Sequence, residues 1–349
     1  MATRKVKLFQ PYMNWRAIWN AVKVMRSPQL AEGPQVKAFE QEFATYFDLP
    51  RALAVNSGTA ALELAYEVAG IGPGDEVITP VFTCTATNIP LLHRNATIVF
   101  ADTGKDLNMD VEDVKRKITK KTKAIVFVHF GGNNRGLKEL LDIAREHKIT
   151  LIEDAAQAVG SDYWGKADFT CVSFQAIKAL TTGDGGMLIC KNETHHHTAR
   201  RLRWFGYDRD AKQKTGDTDL VEAGYKYHMN DIAAAIGRGN LAVMGKILAH
   251  QRALMRVYAR HGIAAHPWFA VVMSDRRAEL RSYLAERGIE SGMHHYRNDQ
   301  YTIFGGRKHF PTMDEVENKY LLLPLHMHVS VADVRRICSL IKGFDELRP

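Results

Sequence analysis

Between residues 50 and 190 short apolar, β-branched runs alternate with segments whose apolar residues recur at helical spacing. The runs at 53–56, 76–79, 97–101, 124–128, 150–153, 170–174 and 186–190 predict strands. Between two of them Leu137, Leu140, Leu141 and Ala144 fall on one face of a helix over 137–147. Strands separated by helices predict an α/β fold with a mostly parallel, seven-stranded sheet between helices.

The pattern then changes. A long helical stretch over 231–260 leads away from the sheet region, and 275–287 and 331–341 read as amphipathic helices with short strands between them. This predicts a large domain over 1–245 and a small C-terminal α+β domain over 246–349. Two helices expected near the start, at 16–26 and 34–47, would pack across both domains. The chain has no internal repeat, low-complexity tract or flexible linker.

Composition narrows the class of protein. Apolar residues make up 46% and charged residues 25%, the balance of a soluble globular protein. No run approaches a membrane span, and the start MATRKVKLFQ has no apolar segment that would read as a signal peptide. A cytoplasmic location without membrane attachment is expected. Cys84, Cys171, Cys190 and Cys338 are scattered, so neither a disulfide framework nor a metal site is expected. The net charge of +8 could serve nucleic acid, but the charges are dispersed. The densest cluster, Arg200, Arg201, Arg203 and Arg209, lies among apolar residues. No nucleic-acid partner is expected, and the same field would draw an anionic small substrate.

Three segments carry chemistry. Asn56-Ser57-Gly58-Thr59-Ala60-Ala61-Leu62 follows an apolar strand and opens a helix, where free N–H groups and the helix dipole favour an anion. On its own it reads as an N-cap that merely starts a helix. Leu151-Ile152-Glu153-Asp154 ends a strand in two acids, and α/β sheets bind ligands at the carboxyl ends of their strands. Asp154 would pair there with a pyridinium N–H, or with an arginine, or cap a helix. In Ser173-Phe174-Gln175-Ala176-Ile177-Lys178 a lysine precedes a glycine-rich turn. It is either a Schiff-base lysine or a surface lysine before a hairpin.

Together with RLRWFGYDRD and GYKYHMNDIAAAIG, these segments make the chain resemble the DegT-type, pyridoxal-phosphate (PLP)-dependent nucleotide-sugar aminotransferases. The resemblance runs from about Phe39 to about Ile341 and implies the PLP-dependent transferase fold (fold type I). It implies that Lys178 holds the cofactor covalently and shuttles a proton, and that Asp154 binds the pyridine nitrogen. It implies that Gln157 meets the phenolic oxygen or the ring, and that Gly58, Thr59 and Ser173 bind the phosphate. A homodimer with shared active sites follows from it, the loop Gly224–Asn230 of one subunit bringing His228 or Lys226 to the other's phosphate or substrate. The reaction implied moves an amino group from L-glutamate to a keto-sugar, foremost a nucleotide-linked 4-keto or 3-keto 6-deoxyhexose. An octulosonate-type sugar acid, a PLP-dependent dehydration, and a non-catalytic sugar-nucleotide-binding homologue are the alternatives. The family's sugar dehydratases carry histidine in place of this lysine, so Lys178 favours transamination.

The chain departs from the family pattern in two places. Cys84 stands where the family places an aromatic residue against the cofactor ring, and strand alternation points Phe82 elsewhere. A stretch between Tyr258 and Arg276 is short, with Ala264-Ala265-His266-Pro267-Trp268 following abruptly. Of the histidines, His195-His196-His197 read as a solvated helix face, since neighbours on a helix point apart. His294 and His295 read either as substrate contacts or as a surface pair.

Overall fold

The computed structural model describes residues 4–216, 219–220 and 222–347. The chain opens with α1 (Trp15–Met25), α2 (Pro34–Phe47), β1 (Ala52–Val55) and α3 (Gly58–Val68). It continues through β2 (Glu76–Pro80), β3 (Phe82–Thr83), α4 (Thr85–His93), β4 (Thr97–Ala101), α5 (Val111–Lys117) and β5 (Thr122–Val128). Next come α6 (Leu137–His147), β6 (Thr150–Asp154), β7 (Phe169–Ser173), β8 (Gly186–Cys190), α7 (Glu193–Leu202) and α8 (Arg209–Thr215). The last stretch holds α9 (Asp231–Leu241), α10 (Met244–Arg260), β9 (Ala264–Ala265), β10 (Ala270–Met273) and α11 (Arg277–Glu286). It ends with β11 (Tyr296–Arg297), α12 (Pro311–Val316), β12 (Tyr320–Leu323) and α13 (Val331–Glu346).

The seven-stranded sheet has the order β1-β8-β7-β6-β5-β2-β4. β4, β2, β5, β6 and β7 run parallel, and β8 is antiparallel to both β7 and β1. Helices cover both faces. On one side α3 buries Ala61, Leu64, Ala65 and Tyr66 against Val77, Ile152 and Leu188. On the other, Phe39 and Phe43 of α2 meet Phe174, and α6 covers Ile125 and Phe127. The predicted strands all form, their ends shifted by at most two residues.

The sequence sets the helix ends. Ser57 accepts from the Ala60 N–H to start α3, Asn230 from Ala233 to start α9, and Ser330 with Asp333 forms a capping box on α13. The expected single helix over 231–260 is two helices, bent by 58° after Leu241. α9 has to lie flat on α1 and α2, whereas α10 runs off to pack on α13. Small residues make the first contact possible: a Cβ at Gly239 would lie 2.4 Å from Ala17 Cα.

A second, antiparallel sheet of order β12-β10-β9 packs on α10, α11 and α13. The N-terminal helices do not bridge the two sheets as expected. They pack on α9, and the extended residues before them make the crossing. Val6 pairs with Ile289, its N–H donating to the Gly288 carbonyl at 2.8 Å, and Leu8 and Phe9 then run on to Trp268. Among the described residues no single helix is long and apolar enough to cross a membrane.

Candidate active site

A cavity of about 370 Å³ lies at the carboxyl ends of β6 and β7 and the amino end of α3. Asp154 is the last residue of β6 and is buried. Its Oδ2 accepts from the Thr87 hydroxyl at 2.7 Å, and its Oδ1 from the Ala156 N–H at 3.1 Å. Burial raises its pKa, opposed by Thr87, the Ala156 amide and Lys178. Lys178 stands in the turn after β7, and burial lowers its pKa to about 8 against the pull of Asp154 and Cys84. A buried carboxylate with lone pairs to spare thus faces the cavity beside an amine with a weakened hold on its proton. That donor set fits a protonated pyridine nitrogen and a carbonyl carbon.

The anion cradle forms around the start of α3. Gly58, Thr59 and Ser173 all line the cavity, joined by Ser57. A side chain at Gly58 would close it, since a Cβ there would lie 2.8 Å from Ser173 Cβ. Ser57 Oγ accepts the Ala60 N–H, which leaves its own hydroxyl proton for a ligand. These groups fit a phosphate.

Gln157 is fixed on two sides. Its Oε1 accepts from the Gly131 N–H at 2.6 Å, and its amide nitrogen lies 2.9 Å from His295 Nε2. Burial, with Lys178 and His294 adding to it, lowers the His295 pKa to about 3, so the ring is neutral and accepts from Gln157. Both His294 and His295 line the cavity. The alternative of an ordinary surface pair falls away for His295. Cys84 also lines it, as the residue preceding α4, while Phe82 is buried against Phe130 and Tyr320 and offers no ring to a ligand.

His228 is not brought there. Among the described residues of a single chain, its ring sits edge-on to Trp204 at 4.0 Å, and its backbone bridges Val55. The loop Gly224–Asn230 is held by its own subunit: Tyr227 O accepts from Asn56 N, and Tyr225 and Tyr227 donate to Glu67 and Glu63. The arginine cluster is occupied too, Arg203 with Glu32 and Glu40, Arg201 with Glu222, and Arg209 with Glu32. Of the three neighbouring histidines, His195 stacks on Phe169 rather than facing water.

Four residues of the site escape a reading of the sequence. Thr87 and His129 sit on elements that look structural. The ring of His129, fully buried, bonds Glu153 at 2.7 Å, and its backbone N–H donates to the Asp154 carbonyl. Phe9 and Trp268 come from opposite ends of the chain, their rings stacked 4.9 Å apart at 21°. Only the abrupt segment before Trp268 hinted at them.

A family model for the DegT/DnrJ/EryC1/StrS aminotransferases matches residues 13–342. The chain belongs to that family. It is therefore a PLP-dependent aminotransferase of fold type I, of the sugar aminotransferase kind. Among curated relatives, GDP-perosamine synthase from Vibrio cholerae is 32% identical over 90% of this chain and 92% of its own. The dTDP-4-dehydro-2,3,6-trideoxy-D-glucose 4-aminotransferase of Saccharopolyspora spinosa is 29% identical over 96% of this chain and 95% of its own. Among solved structures, the sugar aminotransferase CalS13 from Micromonospora echinospora superposes with a TM-score of 0.91 at 28% identity, covering 97% of this chain and 99% of its own. Family structures of similar likeness include PLP and pyridoxamine-phosphate forms.

Proposed function

We propose that this family member transfers the amino group of L-glutamate to a nucleotide-linked 4-keto or 3-keto 6-deoxyhexose, releasing 2-oxoglutarate and an amino-sugar for glycan, lipopolysaccharide or antibiotic-sugar synthesis. The exchange balances without an outside redox partner, an amino group and hydrogen passing one way and a ketone oxygen the other. The observation that carries the reading is Lys178 and Asp154 facing one cavity whose floor is the Gly58 cradle. PLP, when bound, would supply the aldehyde that carries the amino group from one substrate to the other and the ring that takes up the electron pair of the broken C–H bond.

The residues divide the remaining work. Lys178 Nζ would anchor the cofactor and would carry the proton from the carbon that loses it to the carbon that gains it. Its pKa of about 8 lets it both accept and release that proton near neutrality. Asp154 holds the pyridine nitrogen protonated, Gln157 fixes the phenolic side, and Gly58, Thr59 and Ser173 receive the phosphate. Cys84 gives the ring a small, polarisable face in place of an aromatic one. His228 serves the partner subunit's site in a homodimer, a reading supported by its ring packing on Trp204 rather than lining its own cavity and by exposed apolar residues on α1, among them Trp15, Ile18 and Trp19. With the chain divided into 1–245 and 246–349 domains, the substrate lies between them, a reading supported by a cavity that draws Asp154 and Lys178 from the first and Trp268 and His295 from the second. A cytoplasmic location suits the four unpaired cysteines.

The deciding experiment is the absorption spectrum of the protein with PLP, before and after L-glutamate, beside Lys178→Ala. A visible band that fades with glutamate in wild type and is altered in the variant supports the reading. A band indifferent to glutamate overturns the donor, and failure to bind PLP overturns the catalytic assignment.

A further inference from the structure

The cavity has one large aromatic wall, and it is not at the position where the family's ring would be sought. Cys84 offers no ring, and Phe82 is turned into the core. Trp268 lines the cavity and supplies a ring of its own. It enters from the shortened segment before β10 and is only 6% exposed. The centroid of its ring lies 3.6 Å from Lys178 Nζ.

The indole is locked in place. Its backbone N–H donates to the Gly131 carbonyl at 3.0 Å, and its Nε1–H donates to the Ile177 carbonyl at 3.1 Å, one residue before the lysine. Phe9 stacks on it, and His294 leans on Phe9 with centroids 5.7 Å apart. With its donor spent, Trp268 turns toward Lys178 Nζ and the cavity a π face that attracts C–H and cationic groups rather than hydroxyls. Lys178 Nζ is the group that hands the proton to the carbon being aminated, so that carbon must come close to the amine and to the ring beside it.

We propose that Trp268, backed by Phe9, is the platform on which the keto-sugar lies, and that it selects a sugar whose face beside the keto carbon carries C–H groups rather than hydroxyls. A deoxysugar has such a face. This rests on the reading above that the acceptor is a keto-sugar, but not on glutamate being the donor. Removing the indole withdraws stacking and buried apolar contact on the order of 1.4 kcal/mol, or about tenfold in affinity.

The test compares the PLP-loaded wild type with Trp268→Ala and Trp268→Phe. Two probes are used, dTDP-4-keto-6-deoxyglucose and GDP-4-keto-6-deoxymannose, with binding read by calorimetry and amination by the KM and kcat of each. The Ala variant is expected to bind the better probe about tenfold more weakly and to show the loss in KM more than in kcat. The Phe variant, which keeps a π face, should recover most of it. The glutamate-driven loss of absorbance should suffer several-fold less than the sugar step. The proposal is overturned if Trp268→Ala binds the probe as tightly as wild type. It is overturned if both half-reactions fall by the same factor, since the indole would then only position Lys178. It is overturned also if wild type binds neither probe. A wild type indifferent to glutamate defeats the donor assignment alone, because the binding comparison still decides the platform.

Discussion

The Thr87 hydroxyl donates to Asp154 Oδ2 at 2.7 Å, and Thr87 Oγ1 is in turn 2.9 Å from the Thr83 hydroxyl. A residue on α4 therefore holds the carboxylate that ends β6, across 67 positions of sequence. Burial pushes Asp154 toward its neutral form, and this bond is the leading force against that. Thr87→Val keeps the shape and removes the donor. A loss of about 1 kcal/mol, or roughly fivefold in PLP affinity, is expected, read by spectral titration, with little change in fold by circular dichroism. Undiminished affinity would mean that Asp154 needs no such support.

Lys178 makes the unliganded protein's stability depend on pH in a definite direction. Its folded pKa is about 8 against 10.5 for the free side chain, so between those values the unfolded chain holds the proton and the folded one does not. Stability must rise with pH across that window. Lys178→Met, which cannot titrate, should be the more stable protein at pH 7, and the gap should close between pH 8 and 10.5. Calorimetric melting of both cofactor-free proteins checks it; a gap that stays constant refutes the assignment of the buried amine.

His129 and Glu153 form a fully buried pair behind the site. Burial alone would raise Glu153, but His129 and the amides of Ala167 and Lys166 hold it below 4.5. Its contribution is present above that value and is lost as pH falls through the depressed folded pKa. His129→Ala removes one member and leaves a carboxylate in the core, which should cost about 3 kcal/mol or more. Urea unfolding at pH 7 gives the loss, and Glu153→Gln combined with His129→Ala should recover part of it. If the double variant is worse than the sum of the singles, the pair is not what His129 serves.

Sharing of the sites can be read from hybrids. Lys178→Ala and His228→Ala should each be nearly inactive as pure dimers. When their subunits are unfolded and refolded together, half the dimers carry both changes on one side and one intact site on the other. Activity should return to about a quarter of wild type. No recovery would place His228 outside the partner's site.

Much of this protein was already written in its sequence, because the information was local. Seven apolar runs fix seven strands, since a strand buried on both faces needs little more than β-branched residues bounded by turns. Ser57, Asn230 and Ser330 set helix starts through bonds to residues three positions away. The family motifs mark Gly58, Asp154, Ser173 and Lys178, because each lies at a strand end, at a helix start or in the turn just after a strand, which the topology carries to one edge of the sheet. What only the tertiary structure decided depends on contacts between distant segments. The break after Leu241 is set by what α9 and α10 pack against, not by their helical propensity. Thr87 looks like any helix residue until the sheet brings it to Asp154. Phe9 and Trp268, 259 residues apart by number, become one aromatic wall because residues 6–9 cross to the second sheet. No local pattern encodes such a meeting; it exists only when the chain has closed on itself.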